Sequence, residues 1–286
     1  MESEKDGNGM AQLAGRTLLI SGGSRGIGEA IAVRAARDGA NVALIAKTAE
    51  PHPVLPGTIY TAAEAIEAAG GTALPIVGDI RDDATVAAAV EQTAKRFGGI
   101  DIVVNNASAI DLTPTESVSM KKYDLMQDIN ARGSFLLTKQ AIPYLKESSH
   151  GRVLTLSPPI RLEPEWFAEG HLAYTIAKYS MSLTTVGLAV ELKPYGVGVN
   201  SLWPRTMIAT AAVRNVVGAE LVERSRKPEI MADAAYAVLT KPADVTGNFF
   251  VDQDVLAAEG VTDFSKYRIS GAENELEADL WMDPMK

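Results

Sequence analysis

Short apolar runs alternate along the chain with longer stretches in which apolar positions recur at helical spacing. Residues 17–21 form the first run; Ile27, Ala30, Ile31 and Ala35 then repeat with the period of a helix until Asp38-Gly39. A second run covers 41–46, followed by a loop carrying Pro51, Pro53 and Pro56 and an alanine-rich helix over 59–69 closed by Gly70-Gly71. The same pattern predicts strands over 72–77, 100–105, 152–157 and 197–203, with helices over 83–97, 120–144 and 173–192. Strands that are apolar throughout and flanked by helices imply a parallel sheet buried on both faces. The predicted fold is therefore α/β: a doubly wound, Rossmann-type, mostly parallel sheet of about seven strands. Its ligand crevice is expected at the carboxyl ends of the strands, where the strand order reverses.

Composition narrows this picture. A chain of 286 residues, 47% hydrophobic and with 24 glycines, suits one large α/β domain, placed at 13–262. Residues 1–12 read as a flexible polar segment without a signal peptide's apolar core. Residues 263–286 read as an acidic extension through Glu273, Glu275, Glu277 and Asp279. That extension is either solvated or docked through Leu280-Trp281-Met282 on the body or on a neighbouring subunit. The absence of cysteine excludes disulfides and thiolate chemistry, and the wide separation of His52, His150 and His171 argues against a zinc site. A formal net charge of −9 opposes binding to nucleic acid or anionic lipid, and no apolar run has membrane-spanning length. A cytoplasmic protein is expected.

Two motifs carry candidate chemistry. Ser21-Gly22-Gly23-Ser24-Arg25-Gly26-Ile27-Gly28 joins the first strand to the first helix, where glycines permit a tight turn and close approach to a pyrophosphate. Tyr174 and Lys178 lie four apart on a predicted helix and so share a face. An ammonium roughly 5 Å from a phenol favours the phenolate by about 3 kcal/mol at an effective dielectric near 20, which would let Tyr174 move protons near neutrality.

With these motifs in this order, the sequence resembles the short-chain dehydrogenase/reductase family. It carries that family's glycine turn with Ser21 in place of Thr, its Asn-Asn-Ala-Gly element as Asn105-Asn106-Ala107-Ser108, and its Tyr-x-x-x-Lys as Tyr174 and Lys178. Asp79 after the third strand and Asn130 in Asp-Ile-Asn-Ala-Arg-Gly match as well. The runs 47–53, 156–159 and 173–179 narrow the resemblance to one branch of the family.

The resemblance implies interconversion of a carbonyl and an alcohol, with hydride supplied or taken by a nicotinamide cofactor. Tyr174 would be the general acid or base and Lys178 would hold the nicotinamide ribose, while Asn130 would support a water relay. Gly22, Ser24, Arg25 and Ile27 of the turn, Ile80, Asn106, Ala107 and Pro204 would contact the cofactor, and Asp79 would reach the adenine. Asp79 is also a candidate cap for the helix that begins near Asp82 or Asp83. The end of the second strand reads Ile45-Ala46-Lys47, without an acid; Lys47 and Arg25 favour NADP (NADPH) over NAD.

The catalytic serine of the family falls on Pro158, which cannot donate a hydrogen bond. Ser157 is the nearby hydroxyl. Either Pro158-Pro159 turns Ser157 toward the nicotinamide or the hydroxyl points elsewhere. Trp166, Phe167, Trp203 and Arg205, which replaces the family's glycine after Pro204, are the remaining candidates for the substrate pocket together with Ser157. They suggest a bulky apolar ketone, aldehyde or secondary alcohol. The altered serine segment also leaves open an NADP-binding redox sensor or scaffold partner. Self-association as a dimer or tetramer follows from the resemblance, with Ala177, Ser180, Thr184 and Gly187 as a small-residue helix face.

Overall fold

A computed structural model describes residues 11–51, 56–168 and 170–285, so His52 and nearly all of the predicted N-terminal segment lie outside the described residues. The strands are β1 (Thr17–Ser21), β2 (Asn41–Ala46), β3 (Thr72–Val77), β4 (Ile102–Asn105), β5 (Arg152–Thr155), β6 (Gly198–Trp203) and β7 (Phe249–Val251). All pair in parallel, in the order β3-β2-β1-β4-β5-β6-β7. The chain winds from β1 to one edge, returns to set β4 beside β1, and winds to the other edge. This is a Rossmann-type doubly wound sheet, and its switch point lies between β1 and β4.

The helices are α1 (Gly26–Ala36), α2 (Ile59–Ala68), α3 (Asp83–Phe97), α4 (Met120–Met126), α5 (Gly133–Glu147), α6 (Leu172–Leu192), α7 (Glu220–Glu223), α8 (Glu229–Leu239) and α9 (Asp252–Ala258). Successive strand residues point to opposite faces, which builds two separate cores. Leu18, Ile20, Val42 and Leu44 pack with α1, α2, α8 and α9, whereas Leu19, Ala43, Ile45 and Val103 pack with α3, α5 and α6. No helix among the described residues is long and apolar enough to cross a membrane.

The predicted helix over 120–144 is interrupted. A π-helical turn, Gln127–Arg132, separates α4 from α5 and contains Asn130. Such turns concentrate at functional positions because they displace one residue from the regular ladder.

The segment after residue 263 is tied to the body rather than solvated. Met207 N–H donates to Glu277 O at 2.9 Å, Glu277 N–H to Arg224 O at 2.9 Å, and Asp279 N–H to Arg205 O at 3.2 Å. Its acids find partners: Glu277 pairs with Arg224 at 2.8 Å, and Glu273 pairs with the fully buried Arg226. Leu276, Trp281 and Met282 are buried.

Candidate active site

A cavity of about 930 Å³ opens at the carboxyl ends of the strands, across the switch point. It is walled by the loops after β1, β2, β3, β4 and β6 and by the face of α6 that carries Tyr174 and Lys178. The structure brings Gly22, Ser24, Arg25, Ile27, Lys47, Asp79, Ile80, Asn106, Ala107, Tyr174, Lys178, Trp203 and Pro204 to this one cavity.

At one end, the glycine turn is riveted to the end of β4. The Ser21 hydroxyl accepts from the backbone N–H groups of Asn106 and Ala107, both at 3.1 Å. The Asn106 side-chain amide donates to the carbonyls of Ser21 and Gly22, both at 3.0 Å. Space is the reason for two of the glycines: a Cβ on Gly22, whose φ is +71°, would sit 2.8 Å from Ala107 Cα, and one on Gly28 would sit 2.5 Å from Asn106 Nδ2. Arg25 occupies the N-cap of α1 without a side-chain capping bond, so the first-turn amides of that helix are not satisfied by a cap. A cradle of this shape, at a positive helix end, fits the pyrophosphate of a dinucleotide.

Beside it, the Arg25 guanidinium donates to Pro56 O at 2.9 Å and to Gly57 O at 2.8 Å, which anchors it over the loop after β2. Lys47 Nζ lies 3.5 Å from Asp79 Oδ2. Asp79 itself is gripped by Arg81, with Nη2 to Oδ2 at 2.6 Å and Nε to Oδ1 at 3.0 Å. The Arg81 bonds hold its carboxyl well below the usual carboxylate range. Asp79 therefore lines the cavity with its charge already answered, and the helix cap belongs to Asp82, which accepts from Thr85 N–H at 2.7 Å.

At the other end, Tyr174 and Lys178 are almost fully buried. Lys178 does not take the place beside the phenol that the spacing suggested: its Nζ donates to Leu156 O at 2.9 Å and lies 6.0 Å from the centroid of the Tyr174 ring and 5.2 Å from that of Trp203. Burial raises the Tyr174 phenol well above its ordinary value, with the Asp279 carboxylate adding to the rise and a hydrogen bond from the Ser108 side chain opposing it. Burial also brings Lys178 down to about 7, against the attraction of Asp279. Asp279 is pushed up to about 8, chiefly by burial. The protein alone thus holds three titratable groups in a low-dielectric corner.

Ser157 is not brought to the cavity. Its hydroxyl is 2.8 Å from Ser201 Oγ, which is 2.8 Å from Thr185 Oγ1, and Ser157 has no exposed surface. The strand alternation explains this: Leu156 faces the cavity, so the next side chain faces β6 and α6. The reading in which Pro158-Pro159 turns Ser157 toward the nicotinamide is corrected accordingly. Asn130 also lies behind the wall. Its side chain clamps the backbone of Ala109, accepting from N–H at 2.7 Å and donating to O at 2.9 Å.

Trp166, Phe167 and Arg205 are likewise outside the lining. Trp166 lies under the Arg161 guanidinium at 4.4 Å, Phe167 stands edge-on to Tyr179 at 6.3 Å, and Arg205 is tied through its N–H to Asp252 Oδ1 at 2.8 Å. The ring on Tyr174 is Trp281, stacked at 5.9 Å and 24°, with Trp203 at 5.5 Å, Tyr179 at 5.6 Å and His171 at 5.8 Å also around it. Trp281 has φ +62° and an Nε1–H without a hydrogen-bond partner. Left-handed backbone and an orphaned donor cost about 1–3 kcal/mol each. Four ring contacts at about 0.5–1.5 kcal/mol apiece, added to the burial of the indole, offset that cost.

Ser108, Asp279 and Leu280 also line the cavity, and Trp203 Nε1–H donates to Leu280 O at 3.0 Å. Asp279 was not singled out from the sequence, where it is one acid in an acidic run. Its only signal there is the apolar Leu280-Trp281-Met282 that follows it.

A parallel sheet of this order, a glycine cradle at its switch point and a Tyr-Lys helix facing the same cavity define a nicotinamide-dependent oxidoreductase fold. The short chain dehydrogenase family model matches residues 16–220, and the chain belongs to that family, whose members are oxidoreductases acting on CH-OH groups with NAD(P). Among its relatives is hydroxysteroid dehydrogenase-like protein 2 of Xenopus laevis, 58% identical over 259 residues, covering 91% of this chain and 62% of that protein. The human protein of the same name is 52% identical over 272 residues, covering 95% and 64%. The chain thus spans about three fifths of the length of these curated relatives. A solved short chain dehydrogenase of Mycobacterium thermoresistibile is 58% identical, with a TM-score of 0.89, covering 95% of this chain and 96% of that one.

Proposed function

We propose that this protein interconverts a bulky apolar ketone or aldehyde and its alcohol with NADP(H), using Tyr174 as the general acid or base. The observation that carries this reading is the convergence of Tyr174, Lys178 and the glycine cradle on one cavity. Bound there, the nicotinamide supplies or takes the hydride. Tyr174 Oη gives its proton to the carbonyl oxygen in reduction and takes it back in oxidation. Lys178 holds the ribose hydroxyls and, as a cation, helps the buried phenol to ionise. A proton relay past Asn130 runs through its backbone, since its side chain is committed to Ala109.

NADP is favoured over NAD because Arg25 and Lys47 face the cavity near the end of β2, and Asp79, the carboxylate beside Lys47, is neutralised by Arg81. Ile110, Leu112, Met207 and Leu280 give the catalytic end an apolar lining, which suits a terpenoid, steroid or fatty-acid carbonyl. The name of the relatives points the same way. Self-association through α5 and α6 is supported by exposed Phe135, Leu183 and Val190, and by open space beside Gly187.

One observation favours a second reading, an NADP-binding protein that catalyses little: the Ser157 hydroxyl is spent on Ser201. Incubation with NADPH or NADH and a panel of apolar ketones and aldehydes separates the two. Turnover with a preference for NADPH is expected; binding of NADPH with no turnover of any member favours the second reading.

A further inference from the structure

A carbonyl that accepts hydride develops negative charge on its oxygen, and a second hydrogen-bond donor beside the phenol stabilises that charge. The end of β5 offers none. Ser157 is closed into the Ser201–Thr185 chain, and Pro158 has no donor. The other hydroxyls on the cavity wall are Ser24, Thr48, Thr210 and Ser108. Ser24 belongs to the glycine turn, Thr48 follows β2, and Thr210 lies 3.4 Å from where a Cβ on Gly26 would be, so all three stand at the glycine-turn end of the cavity.

Ser108 stands elsewhere. It follows the end of β4, its side chain is exposed, and it lines the same cavity as Tyr174, whose phenolate it favours. Its other contact is a long one, 3.5 Å to Ala109 O, which leaves the hydroxyl free to turn. The backbone on either side is fixed. Ala107 N–H is held by Ser21 at 3.1 Å, and Ala109 is clamped through both its N–H and its C=O by the fully buried Asn130. The backbone that carries Ser108 is thus held in place, and its hydroxyl can turn to donate to an oxygen bound beside Tyr174.

We propose that Ser108 donates the second hydrogen bond to the substrate's carbonyl oxygen, at a position where the family's motif carries glycine. In reduction the carbonyl carbon takes hydride from NADPH, its oxygen takes the Tyr174 proton, and Ser108 keeps its own proton while its bond to that oxygen shortens. This assignment rests on the carbonyl-reductase reading of the same site.

The test compares wild type with Ser108→Ala, Ser108→Gly, Ser108→Thr and Ser157→Ala in NADPH-dependent reduction of the carbonyl panel, with NADPH affinity measured by fluorescence. Ser108→Ala and Ser108→Gly are expected to lose about 10²–10³-fold in kcat, as removal of one oxyanion donor does. Their NADPH affinity is expected to stay near wild type. Ser108→Thr, which keeps a hydroxyl, should recover most of the loss, and Ser157→Ala should turn over like wild type. The alkaline limb of the kcat/KM profile for reduction should move to higher pH in Ser108→Ala, because the side chain that favours the Tyr174 phenolate is gone; a merely structural role would leave it in place. Near-wild-type turnover in Ser108→Ala and Ser108→Gly overturns the assignment alone. Wild-type protein that binds NADPH and reduces nothing overturns the carbonyl-reductase reading, and the assignment with it.

Discussion

At its phosphate end the cavity centres on one consecutive run, residues 21–28, whereas its catalytic end is assembled from β4, α6, β6 and a segment more than a hundred residues after Tyr174. The first end works through backbone: amides, positive φ and the absence of Cβ atoms. The second works through side chains, Tyr174 and Lys178, whose protonation is shifted by burial and by Asp279. A site of the first kind has most of its parts in one stretch of chain. One of the second kind is only as sound as its most distant contributor.

That difference can be tested by variants that injure one end and leave the other intact. Tyr174→Phe should have the largest effect, a fall in kcat of about 10³-fold or more from the loss of the proton donor. NADPH titration should show its affinity nearly unchanged; a parallel loss of binding would mean that the two ends are not separable.

Trp281→Ala comes next. It deletes the ring that Tyr174, Tyr179, Trp203 and His171 surround. Large-to-small changes at buried aromatics cost about 3–5 kcal/mol, so denaturant unfolding should show a loss of that order. The folded fraction should still bind NADPH. A loss under about 1 kcal/mol would show that the C-terminal segment adds little to the body.

Asp279→Asn should act through pH. The folded-state carboxyl titrates near 8, above its ordinary 3.8. Between those values the folded protein binds more protons than the unfolded chain, so this group's contribution to stability falls as pH rises from about 4 to 8. Lys178, brought from 10.5 to about 7, does the reverse: the unfolded chain binds more protons between 7 and 10.5, and stability rises with pH there. The melting temperature of cofactor-free wild type relative to Asp279→Asn should therefore drop steadily from pH 4 to 8. A pH-independent difference would remove Asp279 from the buried charge system. In the same variant Lys178 should titrate lower still, since the carboxylate no longer favours its cationic form.

Lys47→Ala should be the mildest. Loss of one partly exposed cation is expected to raise KM for NADPH about tenfold and to leave that for NADH unchanged. Equal changes for both cofactors, or a native preference for NADH, would take Lys47 out of phosphate recognition.

The same contrast decides what the sequence discloses. The glycine turn, the six longer strands and the Tyr-Lys face were legible because each is a local pattern, a period or a spacing within one or two turns of chain. β7 was not located, being only three residues long and partly exposed. Ser157 misled because the residue type was right and the side was wrong; the alternation from Leu156 settles its direction once the strand end is fixed. Trp166 and Phe167 do join the cluster around Tyr174, but on the side away from the cavity, which spacing in sequence does not tell. The ring stacked on Tyr174 is that of Trp281. Asp279 carries only the indirect sign of the apolar Leu280-Trp281-Met282 that follows it, since an acid among acids looks solvated until the backbone that docks it is known.

The Ser21 hydroxyl has a mechanical consequence. By accepting from both Asn106 and Ala107 it stitches the two strand ends that border the crevice, and Ser108 is the next residue along. The glycine turn and the residue before Ser108 are thus joined through one oxygen atom. The two ends, built so differently, share their anchor: losing the Ser21 hydroxyl would loosen the cradle and the backbone that carries Ser108 together.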